Sequence, residues 1–157
     1  MLLFIAGLVA SGITAFPLLW EVRLLTDLLG LGAASSAEGH AGLGGWLLTV
    51  KFGLEEMYAK HPWIAYGTDW LAFAHLVLAL FFIGPLIDPR SSRGNLLAGI
   101  AACIGVIPLA LIAGGVRGIP LASRLIDCGF GLAGLALLLY CLRLLPGIEA
   151  EHGGAGG

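Results

Sequence analysis

The chain has 157 residues, of which 59% are hydrophobic and 11% are charged, and its mean hydropathy is +0.97. A water-soluble domain of this size normally carries roughly a quarter charged residues, so this composition predicts one small membrane domain. The net charge is −2 and the eight basic residues are scattered along the chain, which effectively excludes nucleic acid as a partner.

The first apolar run extends from Met1 to Trp20 and is long enough to cross a bilayer. It lacks the basic start and the small-residue cleavage site of a signal peptide, so we predict a retained membrane-spanning helix over about residues 2–20. Pro17 removes one backbone donor and is expected to bend this helix near its far end, where Glu21 enters the membrane interface.

A long loop rich in Gly, Ala and Ser follows, and it contains a short amphipathic helix predicted over about residues 46–60. Its apolar residues recur at a spacing of three to four: Trp46, Leu47, Val50, Leu54, Met57 and Tyr58. Thr49, Glu56 and Lys60 lie on the opposite face. This segment is too polar to span, so we expect it on the membrane surface or over the helix bundle.

The second predicted span, residues 69–87, carries His75, the only histidine within any predicted span. A helix of this length reaches about 30 Å, which matches the hydrocarbon core of a bilayer. Thr68 is expected to cap the helix, and Asp69 in its first turn is expected to favour the helix dipole. Trp63 and Tyr66 precede the span, where an interfacial aromatic belt is typical.

Two further spans are predicted over about residues 96–113 and 124–142. Asn95 is expected to cap the first of them after a tight turn that contains Arg90, and Pro108 is expected to kink it. The tail, residues 146–157, is polar and rich in Gly and is predicted to be disordered. The fold class is therefore an all-α integral membrane four-helix bundle in a single domain, residues 1–145, with a long first loop.

Four alternating spans place several ionisable residues on the same side of the membrane: Glu21, Asp69, Arg124 and Asp127, with His75 about 9 Å deep. Arg124 and Asp127 are three residues apart and can form an ion pair on one helix face. Charges at that depth cost a few kcal/mol unless they are paired or face the bundle, so we expect them to point toward His75.

Two interpretations of these residues stay open. In the first they build a polar pocket roofed by the amphipathic loop, in which His75 and Asp69 are the catalytic acid/base groups and Glu21, Trp70, Arg124 and Asp127 bind the ligand. In the second the charges cap helices, lock the bundle by internal pairing and anchor it at the interface.

No metal or cofactor is predicted. Cys103, Cys128 and Cys141 lie in apolar runs without C-x-x-C spacing, which fits buried small hydrophobic side chains rather than a redox or zinc site. A bis-histidine haem site would need a second deep histidine beside His75.

Two segments resemble an uncharacterised family of small four-helix bacterial membrane proteins. They are Tyr66–His75 with the Gly84-Pro85 and Asp88-Pro89 pairs, and Ile107–Gly114 leading to Arg117–Pro120 and Arg124–Cys128. This resemblance implies a bacterial inner-membrane location and brings no activity with it.

The layout of the chain is more distantly similar to the EXPERA proteins, which include emopamil-binding sterol isomerases and the sigma-2 receptor. That resemblance implies an intramembrane cavity for apolar amines or sterols, in which Glu21, Asp69 and His75 act as acid/base or cation-binding groups.

Two functions of different classes follow. One is binding of a small apolar or lipid-like ligand, with isomerase chemistry left open. The other is a non-enzymatic subunit or assembly factor, or a homo-oligomer, whose small residues dock other membrane helices; these residues are Gly99, Ala101, Cys103, Gly105, Gly131 and Gly134. Proton-coupled transport is a third and weaker hypothesis, because the polar residues cluster at one side of the membrane and do not continue across it. The basic residues do not decide the membrane orientation.

Overall fold

The computed structural model describes residues 1–88 and 92–153, with side chains up to residue 145. Within these ranges the chain forms helices joined by turns and contains no strand, which confirms the all-α class. The expectations for the turn at Arg90 and for the last four residues of the tail lie outside the described residues. The last helix continues through Gly153, beyond Pro146, where we predicted disorder.

The helices are α1 (Leu2–Ala15), α2 (Leu18–Leu28), α3 (Gly42–Lys60), α4 (Ala65–Phe81), α5 (Ile83–Ile87), α6 (Arg93–Pro108), α7 (Gly114–Val116) and α8 (Leu121–Gly153). A 3₁₀ turn, Pro62–Ile64, leads into α4, and a π-helical turn, Leu109–Ala113, joins α6 to α7. α3 occupies the stretch that we predicted to be amphipathic and begins earlier, at Gly42.

Three helical stretches in the described part of the chain are long and apolar enough to cross a membrane: Pro62–Ile87, Arg93–Val116 and Leu121–Leu145. They coincide with the second, third and fourth predicted spans. The first predicted span, residues 2–20, is not one straight helix, because α1 ends at Ala15 and α2 is turned from it by 93°. Pro17 accounts for the break, since it lacks a backbone N–H and disfavours helical geometry at Phe16.

The described chain divides into two compact units. We call Met1–Leu8 together with Val77–Gly157 the C-terminal unit, and Val9–Leu76 the N-terminal unit. In the C-terminal unit α6 packs along α8. Its buried core is formed by Phe82, Leu96, Cys103, Leu138 and Leu145.

Glycines set the distance between α6 and α8. A Cβ atom on Gly99 would lie 2.6 Å from Phe82 Cζ and 2.8 Å from Leu138 Cδ1, so a side chain there would clash. Gly131 and Gly134 of α8 approach Cys103 of α6 less closely: their Cβ atoms would lie 3.1 Å from its carbonyl oxygen and 3.0 Å from its Sγ, respectively, which are tight contacts. These small residues therefore pack the protein's own helices.

The three cysteines are free thiols in the C-terminal unit. Cys103 and Cys128 are buried, as we predicted, and Cys141 is half-buried. They therefore act as small packing residues.

In the N-terminal unit α2 packs against α3. Arg23 Nε donates to Glu55 Oε1 at 2.8 Å, which ties the two helices together. Thr26 is fully buried, and its hydroxyl donates to the Arg23 carbonyl at 2.7 Å. The sequence pattern did not predict the Arg23–Glu55 pair, because its partners are 32 residues apart.

The exposed face of α3 is polar. It carries Thr49, Gly53, Glu56 and Lys60 at helical spacing. Lys60 Nζ donates to Glu56 Oε1 at 2.6 Å, and this hydrogen bond and the lysine charge hold the pKa of Glu56 below its ordinary value. α3 thus presents a charged surface that is suited to water.

Candidate functional site

His75 lies in α4, at the middle of the candidate span Pro62–Ile87. From the sequence we expected it closer to one end, about 9 Å past a helix start at Asp69. The helix instead begins at Ala65, and the 3₁₀ turn before it lengthens the helical stretch further. His75 is therefore far from both ends of an apolar segment.

The hydrogen bond of the His75 ring defines its tautomer. Nδ1 lies 2.8 Å from the carbonyl oxygen of Leu71, and since a carbonyl only accepts, Nδ1 carries the hydrogen. In the neutral ring Nε2 then holds a lone pair and acts as an acceptor. The ring is half-buried and has no second partner among the described residues. It can therefore accept a hydrogen bond from another molecule.

Asp69 is half-buried on the same helix but does not face His75. Six residues along an α-helix correspond to a rise of about 9 Å and a rotation that leaves the two side chains about 120° apart. No hydrogen bond joins them in the described structure. The helix therefore does not bring together the acid/base pair that we predicted.

The predicted roles of Thr68 and Asp69 at the helix start are wrong. Because α4 begins at Ala65, Asp69 lies beyond its first turn. Thr68 lies inside the helix, and its hydroxyl donates back to the Ala65 carbonyl at 2.6 Å instead of capping the end.

Trp70 belongs to an exposed aromatic stripe on α4. It makes edge-to-face contacts with Tyr66 and Phe73, with ring centroids 6.0 Å apart in both pairs. Five residues of helix place Trp70 about 140° around from His75. The stripe is thus separate from the His75 face, and the interfacial aromatic belt expected at Trp63 and Tyr66 stays a prediction.

Glu21 lies in the first turn of α2 and is half-buried. It shares a shallow open groove with four apolar side chains of the same helix: Trp20, Leu24, Leu25 and Leu28. Its carboxylate has no hydrogen-bond or ion-pair partner in the part of the chain that the structure describes. Glu21 is therefore a carboxylate set among apolar side chains.

Arg124 and Asp127 belong to the C-terminal unit, and the ion pair that we predicted between them does not form in the described structure. Arg124 Nη1 instead donates to the carbonyl of Leu111 at 3.1 Å, within the π-helical turn. Its side chain packs over Gly114, where a Cβ atom would lie 2.7 Å from Arg124 Cδ. An arginine that precedes its acidic partner along a helix is also the less favourable order for such pairs.

Asn95 does not cap α6 as predicted, because α6 already begins at Arg93. Its Nδ2 donates to the carbonyl of Phe81 at 3.2 Å, at the end of α4. Carbonyls at helix ends lack partners within the helix, so this bond satisfies one of them. The Asn95 side chain therefore links the end of α4, where α5 follows, to the first turn of α6.

Among the described residues, no three His, Cys, Asp or Glu side chains are close enough to hold a metal ion. Comparison of the chain with protein families, curated proteins and solved structures finds no match. The described residues define a helical protein with three candidate membrane spans and a histidine in the middle of one of them. The two resemblances in the sequence stay predictions.

Proposed function

We propose that this protein is an integral membrane protein of a bacterial inner membrane that binds a small lipid-like molecule through His75. The orientation of the ring supports this function: Nδ1 is held by the Leu71 carbonyl, and Nε2 is left as an acceptor in the middle of a 26-residue apolar stretch. An unpaired polar atom in an apolar layer is costly, so a ligand that pairs with it gains affinity.

The ligand class follows from the chemistry of Nε2. A neutral imidazole with a hydrogen on Nδ1 accepts one hydrogen bond at Nε2, so the ligand carries a donor such as a hydroxyl or an amine on an otherwise apolar body. Binding is favoured over isomerisation because Asp69 is about 120° around the helix from the ring. General acid/base chemistry would need a second group within hydrogen-bond reach of the substrate.

A pair of photoreactive probes tests this proposal on the purified full-length protein. One probe is a diazirine-bearing long-chain alcohol and the other is its methyl ether, which cannot donate. We expect the alcohol to label the protein about tenfold more than the ether, as one buried hydrogen bond of about 1.4 kcal/mol predicts. His75→Leu is expected to lower alcohol labelling to the level of the ether, and His75→Gln to retain part of it.

The matched control is Phe73→Leu, which changes an exposed residue on another face of α4. Its labelling by the alcohol is expected to equal that of the unsubstituted protein. Equal labelling of folded His75→Leu and the unsubstituted protein would contradict the proposal.

Asp127 supports a second function, that of a subunit in a larger membrane assembly or a homo-oligomer. It is exposed within the candidate span Leu121–Leu145 and has no partner among the described residues. A carboxylate that faces lipid inside the hydrocarbon layer is costly, up to about 2.5–3.5 kcal/mol at the membrane centre and less toward the ends of a span, whereas a donor on a neighbouring helix would pair with it. Phe130, one turn further along α8, is also well exposed.

Native mass spectrometry in mild detergent tests this second function. We expect an assembly with the unsubstituted protein and at least tenfold weaker association with Asp127→Leu. Leu139→Ala, at an exposed site further along α8, is the control and should not change the assembly. A monomer at all concentrations for the unsubstituted protein would count against this function.

A further inference from the structure

α1 is too short to cross a membrane by itself. Its 14 residues, Leu2–Ala15, reach about 21 Å, whereas the hydrocarbon core is about 30 Å thick. It carries no charged residue and packs closely on α4, since a Cβ atom on Gly12 would lie 3.0 Å from the carbonyl oxygen of Ala72. α1 therefore lies beside a helix that belongs to a candidate span.

α2 cannot follow the same direction as α1. The two helices are turned from each other by 93° at Phe16–Pro17, so they cannot both run along the membrane normal. α2 has only 11 residues, Leu18–Leu28, and it contains Glu21, Arg23 and Asp27. Its length and charge exclude a crossing of its own.

One exposed side of α2 is largely apolar, with Glu21 within it and Asp27 at its edge. Its large side chains are between 43% and 75% exposed: Trp20, Leu24, Leu25 and Leu28. The face that is turned inward is marked by the buried Val22 and Thr26, and Arg23 pairs with Glu55 of α3. The apolar face is therefore the surface that remains after α2 has packed on α3.

The exposed faces of α2 and α3 therefore favour different environments. The exposed face of α3 is polar and carries the Glu56–Lys60 pair. The large exposed side chains of α2 are one tryptophan and three leucines. Water suits the first surface. A lipid layer suits the second, and the candidate spans already place the protein in such a layer.

We propose that α2 lies along the membrane interface with its exposed apolar face covered by lipid acyl chains, so that α1 and α2 do not form one membrane-crossing helix. Glu21 limits how deeply α2 can lie in the membrane. It is half-buried among Trp20, Leu24, Leu25 and Leu28, and its carboxylate stays hydrated only near the headgroups. This placement does not depend on a ligand at His75.

A spin-label scan of residues 18–28 tests the proposal with the full-length protein in phosphatidylcholine/phosphatidylglycerol vesicles. The labels are attached to single cysteines after Cys103, Cys128 and Cys141 are replaced by alanine. An interfacial helix predicts that accessibility to oxygen oscillates with a period of about 3.6 residues. Positions 24 and 28 are expected to be the deepest, positions 20 and 25 at the two edges of the apolar face are expected to share a shallower depth, and position 23 on the opposite side of the helix is expected to be accessible to a nickel chelate.

A crossing helix predicts a different profile. Depth would then change steadily from position 20 to position 28, and that result, or access to the nickel chelate at every position, would overturn the proposal. The matched controls are positions 49, 53, 56 and 60 on the polar face of α3. All four should be accessible to the nickel chelate.

A second measurement keeps the native cysteines. Trp20 becomes the only tryptophan after Trp46, Trp63 and Trp70 are replaced by phenylalanine, and its fluorescence is quenched by brominated lipids. Lipids brominated near the glycerol end of the acyl chain should quench Trp20 at least twofold more than lipids brominated near the terminal methyl. Stronger quenching by the deeper bromines, or no quenching by either lipid, would overturn the proposal.

Discussion

At the scale of single residues, Arg124 and Asn95 bond to backbone carbonyls where helices are interrupted. Arg124 donates to Leu111 in the π-helical turn, and Asn95 donates to Phe81 where α4 ends. A carbonyl whose regular helical partner is missing needs another donor inside an apolar layer. The Arg124 side chain therefore has a structural role, although Asp127 beside it keeps an open carboxylate.

Arg124→Ala is expected to lower the free energy of unfolding by about 1–3 kcal/mol. The change removes the bond to Leu111 and the packing of the side chain over Gly114. Reversible unfolding in mixed detergent micelles measures this loss. Arg117→Ala is the matched control, because Arg117 is exposed and should change the value by less than about 0.5 kcal/mol. Equal losses for the two variants would contradict the role of Arg124.

At the scale of helices, the contact between α6 and α8 depends on glycine at particular positions. Gly99 faces Phe82 and Leu138 at clashing distance, whereas a Cβ atom on Gly105 would meet nothing within 4 Å. Both glycines lie on α6 and both were predicted as close-contact residues. In the structure Gly99 packs within the protein, whereas Gly105 lies on an open surface.

Gly99→Val is expected to destabilise the protein by about 1–3 kcal/mol or more, because the added side chain overpacks the seam between α6 and α8. Gly105→Val, on the open surface of the same helix, serves as the control for the change in helix propensity. The same unfolding measurement compares the two. Similar values for both variants would show that the seam is not closely packed.

At the scale of the whole molecule, the order of the candidate spans determines which connections share a side of the membrane. Arg93 begins α6, Arg117 lies between α7 and α8, and Arg143 lies near the end of the candidate span in α8. One crossing separates each from the next. Arg93 and Arg143 are therefore expected on one side, and Arg117 on the other.

Single cysteines at these three positions test this topology. In a background with Cys103, Cys128 and Cys141 replaced, a membrane-impermeant maleimide applied to intact cells should label either Arg117→Cys alone or both Arg93→Cys and Arg143→Cys. Labelling of all three after the membrane is dissolved is the control. Labelling of all three in intact cells would contradict the order of the spans.

Much of the fold could be predicted from the sequence, whereas the partners in the candidate site could not. Hydropathy predicted four spans, of which three coincide with candidate spans in the described part of the chain, and proline chemistry indicated a bend at Pro17 in the first. The same reasoning placed the start of α4 at Asp69 and missed the 3₁₀ turn that extends the helix toward Pro62. Capping rules identify residues that can end a helix, but Thr68 and Asn95 found acceptors elsewhere because the helices begin before them.

The sequence by itself determined that this protein is helical and where its apolar segments lie, because each residue's preference for water or lipid is a local property. Of the four spans predicted, three are continuous candidate spans in the described part of the chain. Only the tertiary structure decided that Arg124 bonds to the Leu111 carbonyl rather than to Asp127, and that Gly99 is enclosed while Gly105 is open. These outcomes depend on which atoms meet after distant parts of the chain pack together, and residue spacing along one helix does not contain that information.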